Sequence, residues 1–138
     1  MFPALFGHCG NRQYTRFMPV LALHHAQVFY PAGQESQARR FYGEQLGLRE
    51  IERPEALRGR PGLWFEVPGG AHVHLAVEAD LALHPRRHFA LRVDDVARMR
   101  RELEAQGVRS EDADQFAGWS RCYVFDPFGN KIELDQIG

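Results

Sequence analysis

Histidines and one glutamate with metal-binding chemistry stand at regular places along this chain of 138 residues. The candidates are one of His24 and His25, one of His72 and His74, and then His88 and Glu133. Imidazole and carboxylate groups are ligands for Zn, Fe(II), Mn, Ni or Co, and the absence of thiolates disfavours a structural zinc site. His25 to His74 is 49 positions and His88 to Glu133 is 45 positions. Each half of the chain thus offers two donors, and the pattern favours one divalent-metal site in an enzyme that acts on a small molecule.

Strand parity decides which of these side chains can share a space. In the segment AHVHLAVE, apolar residues alternate with His72 and His74, so both histidines leave the core on the same face. The same alternation turns His88 away from the core in RRHFALRV and Glu133 away from it in KIELD. If the sheets curl so that these faces line one cavity, the donors of both halves meet there.

The elements that must position these residues follow one order twice: strand, helix and three strands. The predicted elements are a strand over 20–30, a helix over 35–47, strands over 48–53, 62–67 and 71–78, then a strand over 86–93, a helix over 94–107, and strands over 108–112, 121–126 and 131–136. In the first strand, His24 and His25 are adjacent and should face opposite sides, so parity alone leaves the choice between them open. The remaining member of each histidine pair is interpreted as a structural or surface residue.

Both predicted helices carry an apolar stripe at helical spacing. The stripes consist of Ala38, Phe41, Tyr42 and Leu46 in the first helix and of Val96, Met99 and Leu103 in the second. Asp95 is predicted to cap the second helix, and Gly47 and Gly107 to end the two helices. The fold class is therefore α+β, with module one at about residues 20–80 and module two at about 85–137 of a single domain, 20–138.

The first 19 residues show neither helical nor strand periodicity, so we interpret residues 1–19 as an N-terminal extension, partly disordered. Met18 stands just before the first regular strand. Translation of the natural product from Met18 instead of Met1 is therefore a hypothesis, which an intact-mass measurement would test.

Composition argues against several partner classes. The formal net charge is -1, which gives no general attraction to nucleic acid or to an anionic membrane surface. No segment approaches the roughly 20 apolar residues of a membrane span, and the N-terminus lacks the pattern of a signal peptide. Cys9 and Cys122 form no CxxC pair, so we expect a cytoplasmic protein without a disulfide framework.

Four segments resemble the vicinal oxygen chelate superfamily, the glyoxalase, fosfomycin-resistance and extradiol-dioxygenase relatives. They are LHHAQV at the first strand, RRFYGEQLGL at the first helix, HFALRVDD at the start of module two, and YVFDPFGNKIEL at the end. The resemblance covers about residues 20–137, and the order of its FYxxxLG and DPxGNxxE elements is fairly specific. It implies two βαβββ modules that form a U-shaped, half-open barrel around a metal.

The resemblance also selects the metal ligands. The first-strand ligand of the family matches His25, the opening ligand of module two matches His88, and the closing ligand matches Glu133. The fourth-strand position matches His74, where glyoxalase I typically has a glutamate. As the only carboxylate of the set, Glu133 is also predicted to act as the catalytic base.

Three further residues are predicted to contact substrate. Tyr123 matches a cavity-facing tyrosine of the fosfomycin-resistance branch, and Arg121 shares its strand parity and is a candidate anion contact. Trp64 is a candidate for the cavity wall. The DPFGN segment, residues 126–130, is interpreted as a turn that holds the last strand in register.

The reaction that the resemblance implies is a lyase or isomerase reaction of the glyoxalase kind. A divalent metal would bind vicinal oxygens of a small oxygenated metabolite or thiol adduct and stabilise an enediolate-type intermediate. Two alternatives stay open: an extradiol-type ring-cleaving dioxygenase, which the subset His25, His88 and Glu133 favours, and a metal-free drug- or metabolite-binding protein of the bleomycin-resistance type. Both intra-chain and inter-chain pairing of modules occur in such proteins, and we expect a homodimer.

Overall fold

The computed structural model describes residues 19–138, which form two four-stranded sheets. The strands are β1 His25–Tyr30, β2 Arg49–Ile51, β3 Gly62–Glu66, β4 His72–Val77, β5 His88–Arg92, β6 Ser110–Asp112, β7 Trp119–Phe125 and β8 Lys131–Ile137. The strand orders are β1-β4-β3-β2 and β5-β8-β7-β6, and in each sheet the first strand pairs in parallel with the last. This confirms the predicted α+β fold of two βαβββ modules. The predicted extension and the alternative start at Met18 lie outside the described residues, apart from Pro19.

The first strand is shorter than predicted. It begins at His25 and not at residue 20. The amide of His72 donates to the carbonyl of His24 at 2.9 Å, and β4 begins there, so no described strand partner continues the parallel ladder before that point. Val20, Leu21 and Leu23 are accordingly 75%, 81% and 80% exposed.

Helix α1 starts as an α-helical turn over Glu35–Ala38 and continues as a π-helical segment over Arg39–Gln45. The predicted helix is thus present, but its second part has wider turns than the expected 3.6 residues. The amide of Leu46 donates to the carbonyl of Phe41, five residues earlier, at 2.8 Å. The wider turn lets the adjacent Phe41 and Tyr42 both reach the core, where they are 1% and 0% exposed.

Helix α2, Val96–Ala105, follows the prediction closely. Asp95 caps it, because its side chain accepts a hydrogen bond from the amide of Arg98 at 2.9 Å. Gly107 follows the helix with a φ of 85°, a conformation that glycine adopts without steric cost. No helix within residues 19–138 has the length and apolar character of a membrane span.

The core lies on the face of each sheet that the helices cover. Its fully buried large side chains are Tyr30, Phe41, Tyr42, Phe65, Val73, Leu75, Leu103, Val124, Ile132 and Leu134. Burial of each large apolar side chain stabilises the fold by about 1.5–3 kcal/mol. The opposite face of each sheet is the one that carries the polar candidate site residues.

The turn at residues 126–130 joins the two modules on the core side. The hydroxyl of Tyr42 in α1 donates to Asp126 Oδ2 at 2.7 Å, and the Asn130 amide nitrogen donates to the carbonyl of Phe29 in β1 at 2.9 Å. The backbone amides of Phe128 and Asn130 donate to Asp126 Oδ1. Burial raises the pKa of Asp126, and these hydrogen bonds oppose that shift. The modules are therefore held together through a buried polar seam behind the sheets.

Candidate functional site

Module one gathers its candidates on the face of the sheet that points away from the core. The cross-strand register pairs His25 with His72 and sets His74 between Gln27 and Trp64. The rings of His25 and His74 are stacked, with centroids 4.0 Å apart and an interplanar angle of 20°. The structure thus brings these two predicted ligands together.

His74 is the most enclosed of these imidazoles, at 4% exposed. The indole of Trp64 lies flat on its ring, with centroids 3.8 Å apart and an interplanar angle of 3°. Burial, and then the charges of His25, His72 and His24, lower the pKa of His74 to about 4. The ring is therefore neutral near pH 7, which is the form that binds a metal. Trp64 thus contacts a predicted ligand on the open face, and its role as part of a cavity wall stays a prediction.

His24 lies on the same side as the other histidines, and the parity argument for the opposite face was wrong. Its Nδ1 lies 2.9 Å from His25 Nδ1, and its ring centroid is 5.1 Å from that of His72. His24 precedes the first residue of β1, so strand alternation does not fix its direction. His72 in turn places Nδ1 at 3.2 Å from His74 Nε2. The HH and HxH spacings were the signal in the sequence for this cluster of four.

In module two, His88 and Tyr123 lie on one face of the second sheet, with ring centroids 5.4 Å apart. His88 Nδ1 is 2.9 Å from the carbonyl oxygen of Arg86. A carbonyl only accepts, so Nδ1 carries the proton and, in the neutral ring, Nε2 keeps its lone pair. Metal-binding histidines are commonly oriented by such a bond. His88 is thus prepared as a donor on an exposed face.

Glu133 lies on the same face, since the register pairs it with Ala90 of β5 and with Tyr123 of β7. It is 8% exposed and forms an ion pair with Arg121 through Oε1. Arg121 also donates to the Tyr123 hydroxyl at 2.8 Å. Burial, and then the hydrogen bond and the negative charge of Glu133, raise the pKa of the nearby Asp135. The three predicted residues of this face are in direct contact.

The candidate donors of the two modules do not form one cluster within the part of the chain that the structure describes. No group of three histidine, cysteine, aspartate or glutamate side chains among residues 19–138 is placed to hold a metal ion. The modules meet behind the sheets, and both His25 and His88 remain exposed on the open faces. The donor types fit a divalent metal: imidazole nitrogens, one of them in a ring whose tautomer is fixed, and one carboxylate. The predicted convergence of all four donors is not present among residues 19–138.

Comparison with known families identifies the architecture. The family model described as Glyoxalase/Bleomycin resistance protein/Dioxygenase superfamily matches residues 22–134. Among solved structures, a protein from Bacillus anthracis assigned to the glyoxalase family is 38% identical, covers 86% of this chain and 97% of its own, and has a TM-score of 0.79. No curated protein matches the chain.

Two more distant structures share the fold alone. Lactoylglutathione lyase from Agrobacterium tumefaciens is 21% identical over 86% of this chain and 95% of its own, with a TM-score of 0.64. The genomically encoded fosfomycin resistance protein FosX from Listeria monocytogenes is 15% identical over the same shares, 86% and 95%, with a TM-score of 0.70. The same two-module scaffold therefore occurs in proteins that are named for different activities.

Proposed function

Because the chain belongs to the Glyoxalase/Bleomycin resistance protein/Dioxygenase superfamily, we propose that it is a metal-dependent, glyoxalase-like lyase or isomerase. Its substrate is a small oxygenated metabolite or thiol adduct. The observation that carries the proposal is the repeat of one arrangement. Each module places a histidine of its first strand and a donor of its last strand on the open face of its sheet, His25 with His74 and His88 with Glu133.

The side chains divide the work between binding and proton transfer. His25, His74 and His88 would hold the metal as neutral donors, with Glu133 as the anionic one. When bound, the metal supplies Lewis-acid stabilisation of negative charge on substrate oxygens. Glu133 is well placed as a base, because Tyr123 and Arg121 enclose it away from water and near the open face. Trp64 and Tyr123 form aromatic walls on the two sides.

We infer that the working unit is a homodimer in which module one of one copy faces module two of the other. Single-chain geometry supports this inference, since the donor faces of β1 and β5 are open and the modules meet on the core side. A twofold axis would then create two equal sites, each with two donors from each copy.

Exchange of Glu133 for glutamine tests the assignment. We expect Glu133→Gln to lower turnover of a hemithioacetal by about a thousandfold or more, because both the base and a metal ligand are lost. Metal affinity should fall less, by about 10- to 100-fold, since three imidazoles remain. Turnover is followed by absorbance, and metal content is measured on protein purified without chelator.

Glu66→Gln is the matched control. Glu66 is also a carboxylate on an open face: it lies opposite His72 in module one and forms an ion pair with Arg49. It should change turnover and metal affinity by less than about twofold. Unchanged turnover and unchanged metal affinity in Glu133→Gln would sink the assignment. A wild-type protein that takes up no metal would instead support a binding protein of the bleomycin-resistance type.

An extradiol-type dioxygenase is the second candidate, and one contact favours it. His74 Nε2 lies 3.2 Å from His72 Nδ1, which engages one ring nitrogen of His74 and leaves His25, His88 and Glu133 as a two-histidine, one-carboxylate set. Oxygen uptake with a catechol and Fe(II) separates the two reactions. Uptake that depends on His88 and not on His74 would favour the dioxygenase.

A further inference from the structure

A cavity of about 180 Å³ lies where the two modules meet. Its walls are residues 26–29 of β1, the linker residues 81–84, residues 87–89 at the start of β5, and residues 129–131 at the start of β8. The strand orders place β1 and β5 at the edges of their sheets, so two strand edges border the cavity. Its volume is about six times the share of one water molecule in the liquid, which is enough for a small organic ligand.

The edge of β1 directs backbone donors toward the cavity. The amide of Glu78 donates to the carbonyl of Tyr30, so the even-numbered residues of β1 turn their backbone groups to β4, and the odd-numbered residues turn theirs away. The Phe29 carbonyl accordingly accepts from the Asn130 side chain at 2.9 Å. No described strand pairs with this edge, and the amides of Gln27 and Phe29 therefore stand at the cavity wall as donors.

The side chains that line the cavity carry positive charge only. Arg87 and Lys131 are cations, and the other titratable residues of the lining are His84 and His88. Lys131 Nζ donates to the carbonyl of Pro85 at 3.0 Å, so its charge is held beside the linker. None of the described lining residues is an aspartate or a glutamate. A concave surface of this charge attracts a small anion.

Three carboxylates close to the cavity walls along the chain have other partners. Asp80 Oδ1 accepts from a linker amide at 2.9 Å. Glu133 is in the ion pair described above, and Asp126 accepts hydrogen bonds on the core side. Neither Arg87 nor Lys131 forms an ion pair within residues 19–138. The positive charge of the lining is therefore unpaired in this part of the chain.

The linker wall is held in a strained conformation. Ala82 has a φ of 52°, which is unfavourable for a residue with a Cβ. Its amide donates to Asp80 Oδ1 at 2.9 Å, and its carbonyl accepts from Arg87 Nη1 at 2.7 Å. Such strain persists where the surroundings determine it and occurs often at functional sites. With Nη1 engaged, the Nε–Nη2 edge of Arg87 is the one that matches the two oxygens of a carboxylate.

We propose that this cavity binds a short-chain carboxylate of about four carbons, with its charged end at Arg87. The apolar part of the lining, which includes Phe29, Leu81 and Phe89, would contact the alkyl chain. These side chains favour an organic carboxylate over inorganic phosphate, because a hydrated dianion gains nothing from apolar walls. The inference goes beyond the proposed function and does not depend on a metal.

Titration with butyrate, followed by two-dimensional NMR, tests the site in protein stripped with phenanthroline and kept free of phosphate and other carboxylates. We expect saturable binding that shifts the amide resonances of Gln27 and Phe29 and leaves those of β3 unchanged. Butyramide has the same size without the charge and should bind at least about tenfold more weakly. Absence of saturable binding, equal binding of butyramide, or tighter binding of inorganic phosphate overturns the proposal.

Arg87→Met should weaken butyrate binding at least about tenfold, because the charged donor is lost. Arg86→Met is the matched control, since Arg86 is an exposed cation next to Arg87 that does not line the cavity. It should change the affinity by less than about twofold. Equal losses in the two variants would show a general effect of charge and would refute the site.

A second pair of variants leaves Arg87 and the linker contacts of Ala82 in place. Leu83 lines the cavity and is 54% exposed, so polar side chains are tolerated there. Leu83→Glu adds a negative charge to the wall, and we expect it to bind butyrate at least about fivefold more weakly than Leu83→Gln, which has the same shape. Equal affinities of these two variants contradict a charged end in this cavity. Because no metal is measured, these results stand whether or not the proposed function fails.

Discussion

Module one and module two share one topology but prepare their donors in different ways. In module one, His74 is held by aromatic contacts with Trp64 and His25, and burial keeps its ring neutral. In module two, Glu133 is held by an ion pair with Arg121. The repeated scaffold thus fixes the positions of His74 and Glu133, and each side chain has different neighbours on its open face. Under the proposed function, module one would contribute imidazole ligands only, and module two would contribute the carboxylate.

The largest expected effect comes from separating the two halves onto different chains. A His25→Ala/His74→Ala chain and a His88→Ala/Glu133→Gln chain should each bind almost no metal alone. Refolded together in equal amounts, they should regain about one quarter of the wild-type metal sites, because half of the dimers are mixed and each mixed dimer has one intact site. Metal content per chain after gel filtration measures the recovery.

A variant that carries all four substitutions in one chain is the control for this mixture. Combined with wild type, it should give no intact site in mixed dimers. If the two halves act within one chain, mixing the separate variants recovers nothing. That result would refute the exchange of modules between copies.

A smaller effect should separate the two adjacent histidines of module one. We expect His25→Ala to weaken metal binding by about 100-fold and His24→Ala by less than about tenfold, because His24 touches His25 and His72 without a strand to hold it. Calorimetry with Zn²⁺ gives both constants. Equal losses would make His24 a ligand and would reverse the assignment drawn from the resemblance.

The smallest effect concerns the seam that joins the modules. Burial raises the pKa of Asp126, so this group favours folding most in acid, and its contribution is lost as pH rises through its folded-state pKa. Tyr42→Phe removes one donor to the ionised carboxylate, so the pKa of Asp126 rises further and the loss extends to higher pH. We expect Tyr42→Phe to lower the free energy of unfolding by about 1 kcal/mol near pH 4 and by about 2 kcal/mol near pH 7.

Urea unfolding at both pH values measures these costs, with Tyr30→Phe as the matched variant. The Tyr30 hydroxyl also donates to a carboxylate, that of Glu35, at 3.2 Å, but Glu35 keeps contact with water. Tyr30→Phe should therefore lower the free energy of unfolding by less than about 1 kcal/mol at both pH values. A Tyr42→Phe cost that does not change with pH would show that Asp126 does not titrate in this range.

Much of the fold was predictable from local patterns. Alternation in β4 and β8 set Val73 and Ile132 in the core and His74 and Glu133 opposite, and the structure follows it. The cap at Asp95 was also predictable, since it depends on a short segment only. These features could be predicted because strand alternation and helix capping depend on only a few neighbouring residues.

Features that depend on distant partners were not predictable. The start of β1 depends on where β4 begins, and the wide turns of α1 depend on the space that Phe41 and Tyr42 fill. The role of each predicted site residue remains a prediction. Strand parity placed Arg121 and Tyr123 on one face, but no pattern in the sequence predicted that Arg121 would form an ion pair with Glu133 on the neighbouring strand.

The stack of Trp64 on His74 makes the protein its own optical reporter. Indole emission is sensitive to the charge of a ring in face contact, and these two rings are 3.8 Å apart. The chain has two tryptophans, and Trp119 is 36% exposed in the other module. With Trp119 replaced by phenylalanine, the remaining indole emission would come from Trp64 alone, next to the imidazole cluster. Any event at that cluster could then be followed in real time, without a label and before a substrate is known.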